Sequence, residues 1–269
     1  MMTRDSEQVG VGRDEAVAAL MQLASGRGRF VAFTGAGIST ESGIPDYRGP
    51  GGVWEQRKPP TIGDYLHNEE TRRHYWERRR LDYPTLSSRE PNQGHLALAR
   101  LEAMGVLTTV ITQNIDGLHQ KAGNADDRVI ELHGTAHRIR CMTCERLYDA
   151  GDIQQRLLAG EPDPPCANCG GVLRSATVLF GESLPREALD RAISAAQECD
   201  FMLVVGSSLV VNPAAKLPAL AKRQGAAIAI INRTVTAADE LADVHILGEA
   251  GPTLNGFANA IAEQVEPSR

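Results

Sequence analysis

Four of the five cysteines fall into two Cys-x-x-Cys pairs, Cys141/Cys144 and Cys166/Cys169, with residues 145–165 between them. Thiolates in two short knuckles suit a tetrahedral zinc ion at Zn–S distances of about 2.3 Å, and a set of four sulfurs leaves no open position on the metal. The spacing predicts one structural zinc ion that holds its segment together and does no catalysis. Gly170 and Gly171 after the second knuckle ease the backbone turn toward the sulfurs. Cys199 is left over and reads as a buried residue at a helix end.

A second group begins where the apolar run Phe30-Val31-Ala32-Phe33 leads into Thr34-Gly35-Ala36-Gly37-Ile38-Ser39-Thr40-Glu41-Ser42-Gly43-Ile44-Pro45-Asp46-Tyr47-Arg48. A glycine-rich turn between a strand and a helix lets backbone N–H groups approach a pyrophosphate. Thr40 stands at the third glycine position of the usual G-x-G-x-x-G pattern, so this fragment alone fits a plain tight turn equally well. Matching chemistry follows other apolar runs: Gln113-Asn114-Ile115-Asp116, Gly206-Ser207-Ser208 and Asn232-Arg233. In an open α/β sheet such strand ends meet in one crevice. A third group, Glu131-Leu132-His133-Gly134-Thr135, puts a histidine just past a strand, where general acid/base work becomes possible. The other histidines (His67, His74, His95, His119, His137 and His245) have no comparable companions and read as structural or exposed.

The elements that must hold these groups alternate. Strands are expected at Phe30–Phe33, Thr108–Thr112, Val129–Leu132, Phe201–Val205, Ala227–Ile231 and Val244–Leu247. Helices are expected at Arg13–Ser25, Gln93–Met104, Pro185–Glu198, Asn212–Gln224 and Gly251–Val265. Short apolar runs between helices point to a parallel sheet covered on both faces. The fold class is therefore α/β: a doubly wound, Rossmann-like sheet with a smaller zinc-binding and helical domain inserted. Residues 13–49, 92–136 and 176–265 would form the nucleotide-binding domain, 50–91 a helical and loop module, 137–175 the zinc module, and 1–12 a loose polar tail.

The chain has 269 residues with formal net charge −6, and its pI is near 5.7. An acidic protein is a poor coat for nucleic acid, so no nucleic-acid partner is expected. The longest nearly apolar run, Phe201–Val211, falls short of the ~20 residues that span a bilayer, and no membrane association is expected. Charged residues near the start, among them Arg4, Asp5 and Glu7, do not suit an export signal, and the paired cysteines suit a reducing cytoplasm.

The runs Thr34–Arg48, Thr112-Gln113-Asn114-Ile115-Asp116-Gly117-Leu118-His119 and Glu131–Thr135, the four cysteines, Val178-Leu179-Phe180-Gly181-Glu182 and Gly206-Ser207-Ser208-Leu209 occur together over about residues 15–262. This set resembles the sirtuins, NAD-dependent protein lysine deacylases. Tyr47, Tyr75-Trp76 and Ser87-Ser88 before Pro91-Asn92 make it most similar to the class II branch. The resemblance implies that Gly35, Ala36 and Gly37 cradle the NAD pyrophosphate, with Ser39 near the nicotinamide ribose. It implies that Asp46, Tyr47 and Arg48 belong to a loop closing over the cofactor. Gln113, Asn114, Ile115 and Asp116 would hold the ribose and nicotinamide amide, and Gly206, Ser207, Ser208, Asn232, Arg233 and Ala250 the adenosine half. His133 would be the general base, with Asn114 and Asp116 assisting, and Val178, Leu179, Phe180, Gly181 and Glu182 would offer strand-like backbone to an acylated peptide. The products would be free lysine, nicotinamide and O-acyl-ADP-ribose.

Two departures bear on the acyl channel: Ser175-Ala176-Thr177 replaces the common proline-containing approach, and Leu179 a frequent aromatic residue. Tyr75-x-x-Arg78 is similar to a Tyr-x-x-Arg pair that selects succinyl and malonyl groups in another branch, and a guanidinium suits a carboxylate. The surrounding Arg72, Arg73, Arg79 and Arg80 equally fit a solvated basic helix face. Two other functions stay open: mono-ADP-ribosyl transfer to protein from the same NAD site, and a zinc-ribbon binding module without catalysis. The expected partners are acylated-lysine proteins, and the expected state is a monomer or weak oligomer.

Overall fold

The structure, a computed structural model, describes residues 7–9 (backbone only), 12–46 and 60–265. Tyr47 and Arg48 lie outside the described residues. In chain order the elements are β1 (Glu7–Val9), α1 (Arg13–Ala24), β2 (Phe30–Thr34), a 3-10 helix at Ala36–Ser42, α2 (Ile62–His67), α3 (Glu69–Ser87), α4 (Gln93–Ala103), β3 (Leu107–Thr112), α5 (Leu118–Ala122) and β4 (Val129–Glu131). There follow β5 (Gly134–Cys141), β6 (Leu147–Asp149), α6 (Ala150–Leu158), β7 (Leu173–Thr177), α7 (Arg186–Glu198), β8 (Phe201–Val205), α8 (Leu217–Arg223), β9 (Ala227–Asn232), β10 (Val244–Leu247) and α9 (Ala250–Val265).

Among the described residues seven strands form one parallel sheet in the order β1-β10-β9-β8-β2-β3-β4. Every residue of β2 and β8 is buried, as required of central strands with helices on both faces. One core, on the side of α1, α4 and α9, joins Leu20, Phe30, Leu98, Leu101, Phe201 and Phe257; the other, under α7 and α8, joins Phe33, Ile111, Ala192, Met202, Val204 and Leu217. The chain leaves β2 toward β3 on one side and returns at β8 on the other, so a crevice opens between the carboxyl ends of β2 and β8.

Of the stretch expected as a loose tail, residues 1–12, only 7–9 and 12 are described. Glu7–Val9 pairs in parallel with Val244–Ile246 and extends the sheet by one edge strand. Three residues carry no strand pattern of their own, and the open edge of β10 supplies the backbone partners. The helix expected at Asn212–Gln224 is also shorter, a 3-10 turn at Ala214–Lys216 followed by α8.

The second unit is a three-stranded antiparallel sheet, β6-β5-β7, backed by α6 and α3. Its core joins Trp76 from α3 to Ile139, Cys141, Ile153, Leu157, Cys166 and Leu173. The cysteine module and the arginine-rich helix thus share one core, and its sheet starts at Gly134 and ends at Thr177, slightly wider than the expected 137–175. Helix α3 starts at an Asn68 side chain that accepts from the Thr71 N–H at 3.0 Å, with Glu69 and Glu70 favourably placed in its first turn.

Candidate active site

Two glycine turns meet back to back at the crevice. The Gly37 N–H donates to Gly206 O at 2.8 Å, the Gly35 N–H to Val205 O at 3.0 Å, and the Gly206 N–H to Ile231 O at 3.0 Å. A methyl group on Gly37 would sit 2.6 Å from Gly206 Cα, and Gly206 itself has φ +62°. The N–H groups of Gly35 and Gly37 are engaged inside the protein, so here glycine serves close approach of two backbones more than donation to an anion.

Behind this cradle lies a polar layer. Ser39, 1% exposed, donates to Asp116 Oδ2 at 2.7 Å and accepts from Asn114 Nδ2 at 3.1 Å. Asn114 Nδ2 also reaches Gly35 O at 3.2 Å, and the other Asp116 oxygen accepts the Leu118 N–H at 3.0 Å. Gln113 Nε2 donates to Ser207 Oγ at 2.8 Å and bridges the ends of β3 and β8.

His133 follows β4, with its Nδ1 2.9 Å from Gln113 O. A carbonyl only accepts, so Nδ1 carries the proton and Nε2 of the neutral ring is the basic nitrogen. His133 lines a cavity of about 910 Å³ together with Gly35, Gly37, Asn114, Ile115 and Ser207. Of the residues singled out by sequence, Ala36, Asp46, Gln113, Val178 to Glu182, Gly206, Ser208, Asn232, Arg233 and Ala250 also line it. Ser39 and Asp116 do not; they stand behind the wall and shape it. Arg233 is exposed and pairs with Glu249 at 3.3 Å.

Tyr75 and Arg78 line a neighbouring cavity, which shares Ile115, Thr177 and Leu179 with the first. Val178–Glu182 is a loop rather than a strand: a bridge pairs Phe180 with Thr61, and the Glu182 N–H turns back to Leu179 O at 3.1 Å. Its start is fixed by the Val178 N–H donating to His133 O at 2.9 Å.

The four cysteine sulfurs lie within 4.8 Å of one another, with Cys141–Cys169 and Cys144–Cys166 separations of 3.6 and 3.7 Å. A tetrahedron of sulfurs at ~2.3 Å from a central zinc has edges of roughly 3.8 Å. Donor set and spacing fit the ion.

Sequence reasoning passed over two histidines that the fold brings against this site. His119 Nε2 donates to Thr34 Oγ1 at 2.9 Å, and Thr34 in turn donates to Thr112 Oγ1 at 2.9 Å. His95 stands 3.5 Å from Ser39 Oγ, with its ring centroid 5.0 Å from that of His119. Burial keeps both rings neutral: it drives His119 well below the usual imidazole range and His95 down to about 4, against the pull of Asp116. The available signal was Asn92-x-x-His95, a helix-start pattern in which His95 Nδ1 accepts from the Asn92 N–H at 3.4 Å. Glu131 is pushed up to about 7, first by burial and then by Asp116 and Asp126, against hydrogen bonds from Gln120 and Thr135.

A parallel sheet with a glycine cradle at its switch point, a buried polar layer and an inserted four-cysteine module defines a dinucleotide-binding α/β protein with a metal ribbon. The family model of the Sir2 family matches residues 35–213. The chain is 44% identical over 227 residues to an NAD-dependent protein deacetylase of Rhodopseudomonas palustris, covering 84% of this chain and 90% of the relative. It is 45% identical over 225 residues to NAD-dependent protein deacylase 2 of Archaeoglobus fulgidus, covering 83% and 87%. A solved Sir2 enzyme superposes with a TM-score of 0.83 at 41% identity over 94% of this chain and all of the other. A Sir2 structure with a p53 peptide and NAD+ does so with 0.80 at 36% identity, over 91% and 97%. The chain belongs to the Sir2 family, the sirtuins.

Proposed function

We propose that this chain is an NAD-dependent protein lysine deacylase that moves an acyl group from a lysine side chain to ADP-ribose, consuming one water molecule and releasing nicotinamide and the free lysine. The observation that carries the reading is the single cavity lined by the glycine cradle, the tautomer-fixed His133 and the Val178–Glu182 loop. The related deacetylases and deacylases support it.

NAD supplies a ribose carbon that becomes electrophilic as nicotinamide leaves, and a ribose hydroxyl that takes up the acyl group. Gly35, Ala36, Gly37, Gly206, Ser207, Asn232, Arg233 and Ala250 hold the dinucleotide, with Asp46 at the edge of the cavity. Asn114 lines the nicotinamide end, and Ser39 and Asp116 fix its amide from behind. His133 Nε2 removes the hydroxyl proton, since Nδ1 is held protonated by Gln113 O. The four cysteines hold one structural zinc ion. Tyr75 and Arg78, in the adjoining cavity, give acyl groups ending in a carboxylate a cation to meet. The partners are acylated-lysine proteins and not nucleic acids, in keeping with the net charge of −6, and the protein acts as a monomer or weak oligomer. Among the described residues no helix is long and apolar enough to cross a membrane.

Mass spectrometry of one peptide carrying acetyl-, succinyl-, glutaryl-, lipoyl- or long-chain acyl-lysine, incubated with protein and NAD, tests the reading. Deacylated peptide with the matching O-acyl-ADP-ribose is expected. His133→Ala should bind NAD nearly as well and lose about 10²–10⁴ of the rate. Wild-type turnover in that variant would overturn the role of His133. ADP-ribosylated protein without deacylation would favour transfer of ADP-ribose instead.

A further inference from the structure

The Val178–Glu182 loop is fastened from behind by one guanidinium. Arg174 on β7 is 5% exposed. It donates from Nη2 to Glu182 Oε1 at 2.7 Å, from Nη1 to Thr177 O at 2.7 Å, and from Nε to Met142 Sδ at 3.0 Å. The second Glu182 oxygen accepts the Leu179 N–H at 2.7 Å. The residue before the loop, its second residue and its last residue are therefore all tied, directly or through one carboxylate, to a single side chain.

That side chain is rooted in the cysteine module. On β7, Leu173 pairs with Cys141 and Arg174 with Arg140, and Met142 lies inside the first cysteine knuckle. The side chains of the ion pair are 6% and 18% exposed. A pair this dry loses its balance when one partner is removed, because the remaining charge is left uncompensated. Among the described residues, no hydrogen bond links either side chain to the glycine cradle or to the Ser39–Asn114–Asp116 layer.

We propose that Arg174 and Glu182 are positioning residues for the acyl-lysine substrate: their ion pair transfers the rigidity of the four-cysteine module to the peptide wall, and so sets peptide affinity independently of dinucleotide affinity. This rests on the deacylase reading of the cavity. Arg174 touches no substrate; it acts through Glu182, Thr177 and the Leu179 N–H.

The test uses the zinc-loaded full chain and an acetyl-lysine peptide, with three readouts: steady-state kinetics in peptide, calorimetric NAD affinity and zinc per chain. A wild-type protein that fails to deacylate any acyl-peptide with NAD bound removes the functional reading itself, whatever the pair does. With an active wild type, Glu182→Ala and Arg174→Met should each raise KM for peptide about tenfold, or ~1.4 kcal/mol. NAD affinity and zinc content should stay within about twofold of wild type. Arg174→Lys should recover part of the loss, since an ammonium still meets Glu182 but cannot also hold Thr177 O in the same fork. If Arg174→Met does not fold, Glu182→Ala decides alone. An unchanged peptide KM in Glu182→Ala overturns the proposal, as does a parallel fall in NAD affinity and zinc content, which would mark a merely structural pair.

Discussion

The contact between Gly37 and Gly206 is the tightest joint in the cradle, and Gly37→Ala tests it. A methyl group there meets Gly206 Cα at 2.6 Å, Gly206 O at 2.8 Å and Gly206 C at 3.0 Å. Carbon contacts are most favourable at ~3.5–4.0 Å, so the two turns must part by about 1 Å. All three obstructing atoms are backbone, anchored by the Gly206 N–H to Ile231 O bond of 3.0 Å, and none can rotate aside. Parting the turns breaks the 2.8 Å bond from the Gly37 N–H to Gly206 O. Overpacking of this kind costs about 1–3 kcal/mol. For a chain of this size that is roughly 2–5 °C in melting temperature. The deformation lies in the proposed pyrophosphate site, so NAD affinity should fall by at least about tenfold. Gly12→Ala, where a methyl group meets nothing within 4 Å among the described residues, is the control. Thermal unfolding with and without NAD, and calorimetric titration of NAD, measure both effects. An alanine variant that melts and binds NAD like wild type would show that the close approach has no energetic consequence.

Arg78→Ala should lower turnover of succinyl-lysine peptide far more than acetyl-lysine peptide; equal losses would remove the guanidinium from acyl selection. Trp76→Ala empties a fully buried site in the core shared by α3 and the cysteine module. It should cost about 3–5 kcal/mol and speed zinc release to a colorimetric chelator, and unchanged release would separate the helix from the metal site. Glu131 has a folded pKa of about 7 against an ordinary 4.5, so its contribution to stability is present in full below pH 4.5 and lost as pH rises toward 7. Glu131→Gln should flatten that slope and be the more stable protein at pH 8, by up to about 2–3 kcal/mol. Denaturant titrations from pH 4.5 to 8 that give parallel curves for the two proteins would refute it.

What could be read from sequence divides along a physical line. The cysteine knuckles were legible because a tetrahedral ion allows few spacings, and the sheet because apolar runs between helices have few other homes. The place of His133 at a strand end beside the crevice was legible through its neighbours in the chain. His95, His119 and Arg79 were not, because their roles come from burial against distant segments. Arg79 reads as one arginine among several on a basic helix, yet its guanidinium lies 4.2 Å from the Tyr83 ring centroid and donates to Ala136 O at 3.0 Å. Tyr83 approaches His137 Nδ1 at 3.4 Å, and His137 Nε2 donates to Asp116 O at 2.8 Å, so one face of α3 is linked to the polar layer behind the cavity. Strand β1 was invisible for the opposite reason: its partner, β10, supplies all of its definition.

The arrangement separates two tasks. A general base must be held to about 0.5 Å to be useful, which rigid elements achieve better than loops. His133, the proposed base, meets this by standing at a junction of strand ends: Gln113 O fixes its ring, the Gln113 side chain reaches Ser207, and its own carbonyl receives the Val178 N–H. The parallel sheet thus sets the proposed base and the glycine cradle together. The far end of the proposed peptide wall is set from the other unit, through Arg174 and Glu182. Substitutions along Ser175–Leu179 or on α3 can therefore alter which acyl group is accepted while the geometry of His133 against the cradle is kept. On this argument acyl selectivity and NAD chemistry should respond to different sets of mutations, with His133 and Val178, joined by one 2.9 Å bond, as the place where the two sets meet.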